Sequence, residues 1–170
     1  MSKSKRSHAA AATPGVARLV DASVEFVVRS YPHDEAISGE LGYGVEAARA
    51  LGVEPDRVFK TLMVVAGRRH VLGVIPVSRS LDLKATARAL REKQVAMAPA
   101  AVAERVSGSV VGGISPLGGR TALDVIVDET AAAYDTILVS AGKRGVDVEL
   151  SPADLLRVTG GRMAPIARRP

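Results

Sequence analysis

Lys60 and Thr61 interrupt a run of apolar residues, 58–65, that otherwise reads as a buried strand. A charged side chain in such a run is costly unless it reaches water or an anion. Lys60 is therefore either a structural lysine on an edge strand or a cation held ready for a negative group. A second feature is the run Val110, Val111, Gly112, Gly113, Ile114, Ser115, Pro116, Leu117, Gly118, Gly119. Consecutive glycines let a backbone approach a ligand closely and aim N–H groups at a carbonyl or phosphate oxygen; the same residues also make an ordinary loop. His33-Asp34 could serve as an acid–base pair or as a loop histidine with a local partner.

Other chemistry is ruled down. The chain has no cysteine, which removes disulfides, thiolate nucleophiles and Cys-ligated metals. His8, His33 and His70 lie far apart, with no carboxylate at metal-ligand spacing. Gly42-x-Gly44-x-x-Ala47 has the letters of a dinucleotide fingerprint, but residues 37–41 read as a Gly/Glu loop rather than the strand that motif needs. The run from Gly113 to Gly118 has phosphate-loop spacing, yet Gly119-Arg120-Thr121 follows where the phosphate-binding lysine belongs. Folding signals are plentiful, and a side-chain nucleophile is missing.

The elements that must position these residues can be read from local signals. Thr13-Pro14 predicts an N-cap and first helical residue, with Val16, Leu19 and Val20 on one face. Val24, Phe26 and Val28 alternate with other residues as a half-buried strand would. Residues 32–44 read as a loop rich in Gly and acidic residues, and 45–51 as a helix stopped by Gly52. Strands over 58–65 and 70–75 joined at Gly67-Arg68-Arg69 predict a hairpin. Asp82 caps a helix carrying Leu83, Ala87 and Leu90, and Pro99 opens another that ends at Gly108. Strands follow over 122–127, 136–140 and 146–150; Ser151-Pro152 then starts a last helix that Gly160-Gly161 stops. A hairpin, separated helices and no linker predict one α+β domain over residues 13–170, preceded by a disordered basic arm over 1–12.

A length of 170 residues allows one sizeable core, and with 47% hydrophobic but only 3% aromatic residues that core must be aliphatic. No apolar run approaches the roughly 20 residues that cross a bilayer, so no membrane partner is expected, and the lack of cysteine fits a reducing cytoplasm, the expected location. The net charge of +5 fits a polyanionic partner or an ordinary basic surface.

Five blocks together resemble a known family: Ser30-Tyr31-Pro32-His33-Asp34; Val58-Phe59-Lys60-Thr61-Leu62; Leu81-Asp82-Leu83-Lys84; Val111-Gly112-Gly113-Ile114-Ser115-Pro116-Leu117-Gly118; and Val139-Ser140-Ala141-Gly142-Lys143-Arg144-Gly145-Val146-Asp147. In this order they resemble the YbaK-type (YbaK/EbsC) aminoacyl-tRNA deacylases, relatives of the editing domain inserted in bacterial prolyl-tRNA synthetases. The fourth and fifth blocks look most like the branch that removes cysteine from proline tRNA. The resemblance implies a mixed, barrel-like sheet with surrounding helices, no cofactor and no metal. It implies an aminoacylated tRNA acceptor end as substrate and prolyl-tRNA synthetase as a partner.

By resemblance the family's strand lysine falls on Lys60, followed by Thr61, its first pocket tyrosine on Tyr31, and its substrate-contacting loop glycine on Gly112. Gly113, Ile114, Ser115 and Pro116 continue that loop, and the last block contributes Ser140 and Asp147. The chain departs from its apparent relatives at Tyr43-Gly44, where they tend to have Phe before Gly, and the preceding loop is a few residues longer. The implied activity is hydrolysis of Cys-tRNA(Pro), extending to Cys-tRNA(Cys), in which the substrate's own thiol attacks its ester. Lys60 would bind the terminal phosphate or sugar, Gly112 and Gly113 N–H groups would orient the carbonyl, Tyr31 and Tyr43 would wall the pocket, and Ser140 and Asp147 would brace it. Alanyl- or seryl-tRNA substrates, and a non-catalytic RNA-binding module, are the alternatives.

Overall fold

Capping chemistry decides where the helices of this chain begin and end. In a computed structural model that describes residues 13–169, the Thr13 side chain accepts the Val16 N–H and opens α1 (Pro14–Asp21). Asp82 caps α4 (Leu83–Leu90) through the Ala85 N–H, and Ser151 caps α6 (Pro152–Thr159) through the Asp154 N–H. Gly52, Gly108 and Gly160, all left-handed, terminate α3 (Tyr43–Leu51), α5 (Ala100–Ser107) and α6. The expected basic arm over 1–12 lies outside the described residues.

Residues 32–44 were expected as a loop, and there the structure differs. Asp34 accepts the Ala36 N–H and starts a short helix, α2 (Glu35–Leu41), that packs directly against α3. The expected strand over 24–28 is shifted to β1 (Val27–Ser30), because its register on β8 (Val146–Leu150) runs from Val27 opposite Glu149 to Ser30 opposite Val146.

The hairpin forms as expected from β2 (Phe59–Ala66) and β3 (Arg69–Pro76). It is the centre of a five-stranded mixed sheet ordered β5-β2-β3-β6-β9, with β5 (Ala96–Met97), β6 (Asp124–Asp128) and β9 (Arg162–Ala164). The pair β2/β3 is antiparallel, and β3/β6 and β6/β9 are parallel. The second sheet is antiparallel β1-β8-β7, with β7 (Ile137–Lys143). The two sheets meet at one bridge between Val58 and Leu138. The strands thus curl toward a barrel without closing into one. A last pair, β10 (Ala167–Arg168) on β4 (Ser80–Leu81), ties the tail to the turn after β3.

The aliphatic core fills this curl. Leu19, Met63, Leu117, Val127, Ile137, Val148 and Leu155 belong to the largest cluster, inside the two sheets. Val64, Ile75, Leu90 and Ile166 form another on the outer face of the large sheet, under α4. Burying one such side chain contributes roughly 1.5–3 kcal/mol. Asp128, at 2% exposure, anchors the tail: one carboxylate oxygen accepts the Ile166 and Ala167 N–H groups at 3.0 and 2.9 Å, and the other accepts from Thr130.

Candidate active site

The curl leaves a cavity of about 340 Å³ at the outer edge of β2, where that strand parts from β7 after the Val58–Leu138 bridge and before it meets β5. Tyr31, Tyr43, Lys60, Thr61, Gly112, Ile114, Ser140 and Asp147 all line it. Lys60 on β2 and Asp147 on β8, far apart in the chain, are thereby brought to one cavity.

 Gly113, Ser115 and Pro116 do not line the cavity. The Gly113 N–H donates to the Val110 carbonyl at 2.9 Å, closing a turn, so it is already engaged within the loop. The Ser115 hydroxyl accepts the Leu117 N–H at 3.1 Å, and Ser115 and Pro116 border a separate cavity of about 300 Å³ beside Arg18 and Thr121.

Gly112 has φ +87°, and a Cβ built there would come within 2.5 Å of Tyr43 Cγ. Only glycine lets the loop lie against that ring. Among the described residues no hydrogen bond uses the Gly112 N–H. Tyr43 is held from two further sides. The Arg144 guanidinium carbon sits 4.5 Å from its ring centroid while Arg144 Nε donates to the Val111 carbonyl at 2.8 Å, so one side chain fastens both Tyr43 and the glycine loop. The His33 ring lies 5.8 Å from the Tyr43 ring. His33 Nδ1 meets Glu46 Oε2 at 3.0 Å, and Glu46 Oε1 accepts the Asp34 N–H at 2.6 Å. The histidine's partner is thus Glu46, not its neighbour Asp34, which caps α2. A Cβ on Gly44 would collide with the Val77 side chain, which accounts for the glycine after Tyr43.

The electrostatics follow from burial. Lys60 is half-buried with no ion pair among the described residues, and desolvation holds its ammonium below the ordinary lysine range. Asp147 is 6% exposed and sits opposite Ser140 in the β7/β8 ladder; burial raises its carboxyl to about 7. Burial first, then the charges of Asp147 and Glu46, push the Tyr31 phenol above the usual tyrosine range, so it stays neutral. Ser140 Oγ accepts the Gly142 N–H at 3.2 Å, and no histidine lines the cavity with it. The arrangement lacks an activated side-chain nucleophile. It offers a cation, a carboxyl that titrates near neutrality, an uncommitted backbone N–H and apolar walls from Phe59, Met63, Val77 and Met97. Arg144, Glu46 and the methionines carry no local signal; their roles depend on contacts between distant segments.

The sequence model of the aminoacyl-tRNA editing domain matches residues 43–158. The candidate Cys-tRNA(Pro)/Cys-tRNA(Cys) deacylase EbsC of Enterococcus faecalis is 40% identical over 72% of this chain and 75% of its own length. A proline–tRNA ligase of Thermoanaerobacter is 26% identical over 70% of this chain, a stretch that is 21% of the ligase. Among solved structures, a candidate trans-editing enzyme for prolyl tRNA synthetase superposes with a TM-score of 0.75 at 22% identity, covering 93% of this chain and 99% of its own. The hypothetical protein APE2540 superposes at 0.79, also at 22% identity, over 91% and 99%. These two likenesses show the α+β fold, and the sequence matches show the family: the chain belongs to the aminoacyl-tRNA editing domain family.

Proposed function

We propose that this protein deacylates misacylated tRNA in trans, with Cys-tRNA(Pro) as its main substrate and Cys-tRNA(Cys) as a second. The observation that carries the reading is a cavity whose lysine has no ion pair and whose loop amide has no hydrogen bond among the described residues, and which holds no activated side-chain nucleophile. A cysteinyl ester brings one. A proline pocket in a synthetase separates ligands of similar size by only about 1–3 kcal/mol, so a second, hydrolytic site is needed to clear cysteine.

In this reading Lys60 holds the terminal phosphate or sugar, and the Gly112 N–H polarises the ester carbonyl and stabilises its developing charge. The thiol sulfur attacks that carbonyl, and its proton passes to the Asp147 carboxylate, whose strength near neutrality suits a base. The bond to the ribose oxygen breaks, and that oxygen leaves protonated. The cyclic thioester then hydrolyses to cysteine. Intramolecular attack of this kind reaches effective molarities of roughly 10⁵–10⁸ M, so positioning supplies most of the rate. Prolyl-tRNA synthetase is the partner that would deliver the correct tRNA.

The test is deacylation of cysteinyl-, alanyl-, seryl- and prolyl-tRNA(Pro) by the wild type and Lys60→Ala. Loss of cysteine alone, abolished by the substitution, is the expected result. Faster release of alanine or serine would move the substrate while keeping the site. Binding without turnover of any ester would make the chain an RNA-binding module.

A further inference from the structure

The hydrogen-bonding parity of β2 contains a gap one residue wide. In an antiparallel ladder, alternate residues direct both N–H and C=O to the same neighbour. The Val77 N–H donates to the Val58 carbonyl at 2.8 Å, and the register pairs Lys60 with Ile75 and Leu62 with Gly73. Residues 58, 60 and 62 therefore face β3, whereas 59, 61 and 63 face the opposite edge. The Ala98 N–H donates to the Met63 carbonyl at 3.0 Å, which confirms the parity from the other side. On that edge β7 reaches the chain only at the Val58–Leu138 bridge, and β5 only at Val64 and Val65. Between them, no ladder, bridge or loop partner meets the Thr61 N–H and C=O among the described residues, and the cavity opens there. Thr61 Oγ1 is likewise buried without a partner.

We infer that the aminoacyl group of the substrate fills this gap as a one-residue strand opposite Thr61, its α-amino N–H donating to the Thr61 carbonyl and its ester carbonyl accepting the Thr61 N–H. This rests on the deacylase reading above and adds the group that recognises the amino acid as an amino acid. An aminoacyl ester carries one N–H donor and one C=O acceptor on a single Cα, which is the complement that one residue of an antiparallel pair requires. The Thr61 N–H then acts on the same oxygen as the Gly112 N–H, giving the carbonyl two donors. Directly opposed residues place their side chains on one face of a sheet, so the substrate side chain falls on the face shared by Phe59, Thr61 and Met63, two of them apolar. The geometry also spares the correct product. In a prolyl ester the ring fixes a carbon on the nitrogen and locks its torsion, so neither N–H can take the strand direction toward the Thr61 carbonyl.

Two measurements test this on the full chain. The first compares L-cysteinyl-tRNA(Pro) with 3-mercaptopropionyl-tRNA(Pro), which keeps the thiol and ester but lacks the α-amino group, each rate divided by its uncatalysed rate. Loss of a hydrogen bond to a charged donor predicts a drop in kcat/KM of about 10–100-fold. The second follows backbone amides by NMR as 3′-(L-cysteinylamino)-adenosine, an amide-linked non-hydrolysable probe, is added. The Thr61 amide should move downfield and exchange more slowly, whereas those of Lys60 and Leu62, already bonded to β3, should not. Equal normalised rates with an unchanged Thr61 amide, in a protein that still deacylates cysteinyl-tRNA, would overturn the strand pairing and leave the deacylase reading intact. Absence of turnover on every ester would overturn both.

Discussion

Replacing Asp147 by Asn will stabilise the protein at alkaline pH and leave it little changed in acid. The carboxyl titrates near 3.8 when exposed and at about 7 in the folded chain, because burial disfavours its charged form. Between those values the native state binds more protons than the unfolded state, so stability falls as pH rises through the window. Below about 4 both states are protonated and the cost vanishes; above about 7 it is complete. At ~1.4 kcal/mol per pH unit the full span is about 4 kcal/mol, of which about 3 kcal/mol develops between pH 5 and pH 8. Urea unfolding of wild type and Asp147→Asn at those two pH values reads it directly. Other groups titrate in both proteins and cancel in the difference. With a slope of about 2 kcal/mol per molar urea, the gap between the two midpoints should widen by about 1.5 M from pH 5 to pH 8. Glu149 works in the opposite sense and in another window. Burial raises its carboxyl, but hydrogen bonds from Arg29 and Thr136 and the charges of Arg29 and Arg57 outweigh that and hold it low, so its contribution is lost only as pH falls below the carboxylate range. A gap between the two proteins that does not change with pH would refute the argument that Asp147 is buried without a compensating partner.

Three further substitutions separate the site from its scaffold. Gly112→Ala combines a φ of +87° with a methyl group against the Tyr43 ring; the strain is worth about 1–2 kcal/mol in urea unfolding, and deacylation should fall by more than it does for Gly39→Ala. Gly39 lies in α2 with nothing within 4 Å of a built Cβ, so that change should stabilise by about 0.5–1 kcal/mol. Asp128→Ala strips the buried Ile166 N–H of its acceptor and should cost about 3 kcal/mol, with increased hydrogen exchange at Ile166 and Ala167.

Much of the scaffold is legible in the chain because its signals are local. Thr13-Pro14, Asp82 and Ser151-Pro152 are caps whose chemistry needs only their next few residues. α2 escaped because Ser38 and Gly39 are poor helix formers, and the segment is held by the Asp34 cap and by packing on α3. β4, β5, β9 and β10 are two or three residues long, too short for alternation to appear. Within the site, Lys60 stands out as a charge in an apolar strand and Gly112 as one of a glycine pair. Asp147 looks like any exposed strand residue until the sheet buries it. The stacking of Arg144 on Tyr43 joins segments a hundred residues apart, on the order of the whole domain. Gly113, Ser115 and Pro116 read as one loop with Gly112, but the turn at Val110 commits their polar groups internally.

The features of the site share one topological cause. After the Val58–Leu138 bridge, β2 belongs to one sheet and β7 to the other, and the two separate before β5 takes up the edge. A strand that continued the pairing would satisfy Thr61, fill the cavity and stabilise the fold, since backbone groups shut away from water are costly when unpaired. It would also remove the space that Lys60, Asp147 and Gly112 share. Those three groups likewise have no hydrogen-bond or ion-pair partner among the described residues: a half-buried ammonium, a buried carboxyl and a loop amide. Each would be more stable with a counterpart, and each is available to a ligand because the described residues supply none. An aminoacyl ester on a tRNA end offers a backbone-like donor and acceptor, a small side chain and a phosphate on one molecule. The interruption of the sheet is therefore better understood as the binding element itself than as a defect around which the site was assembled.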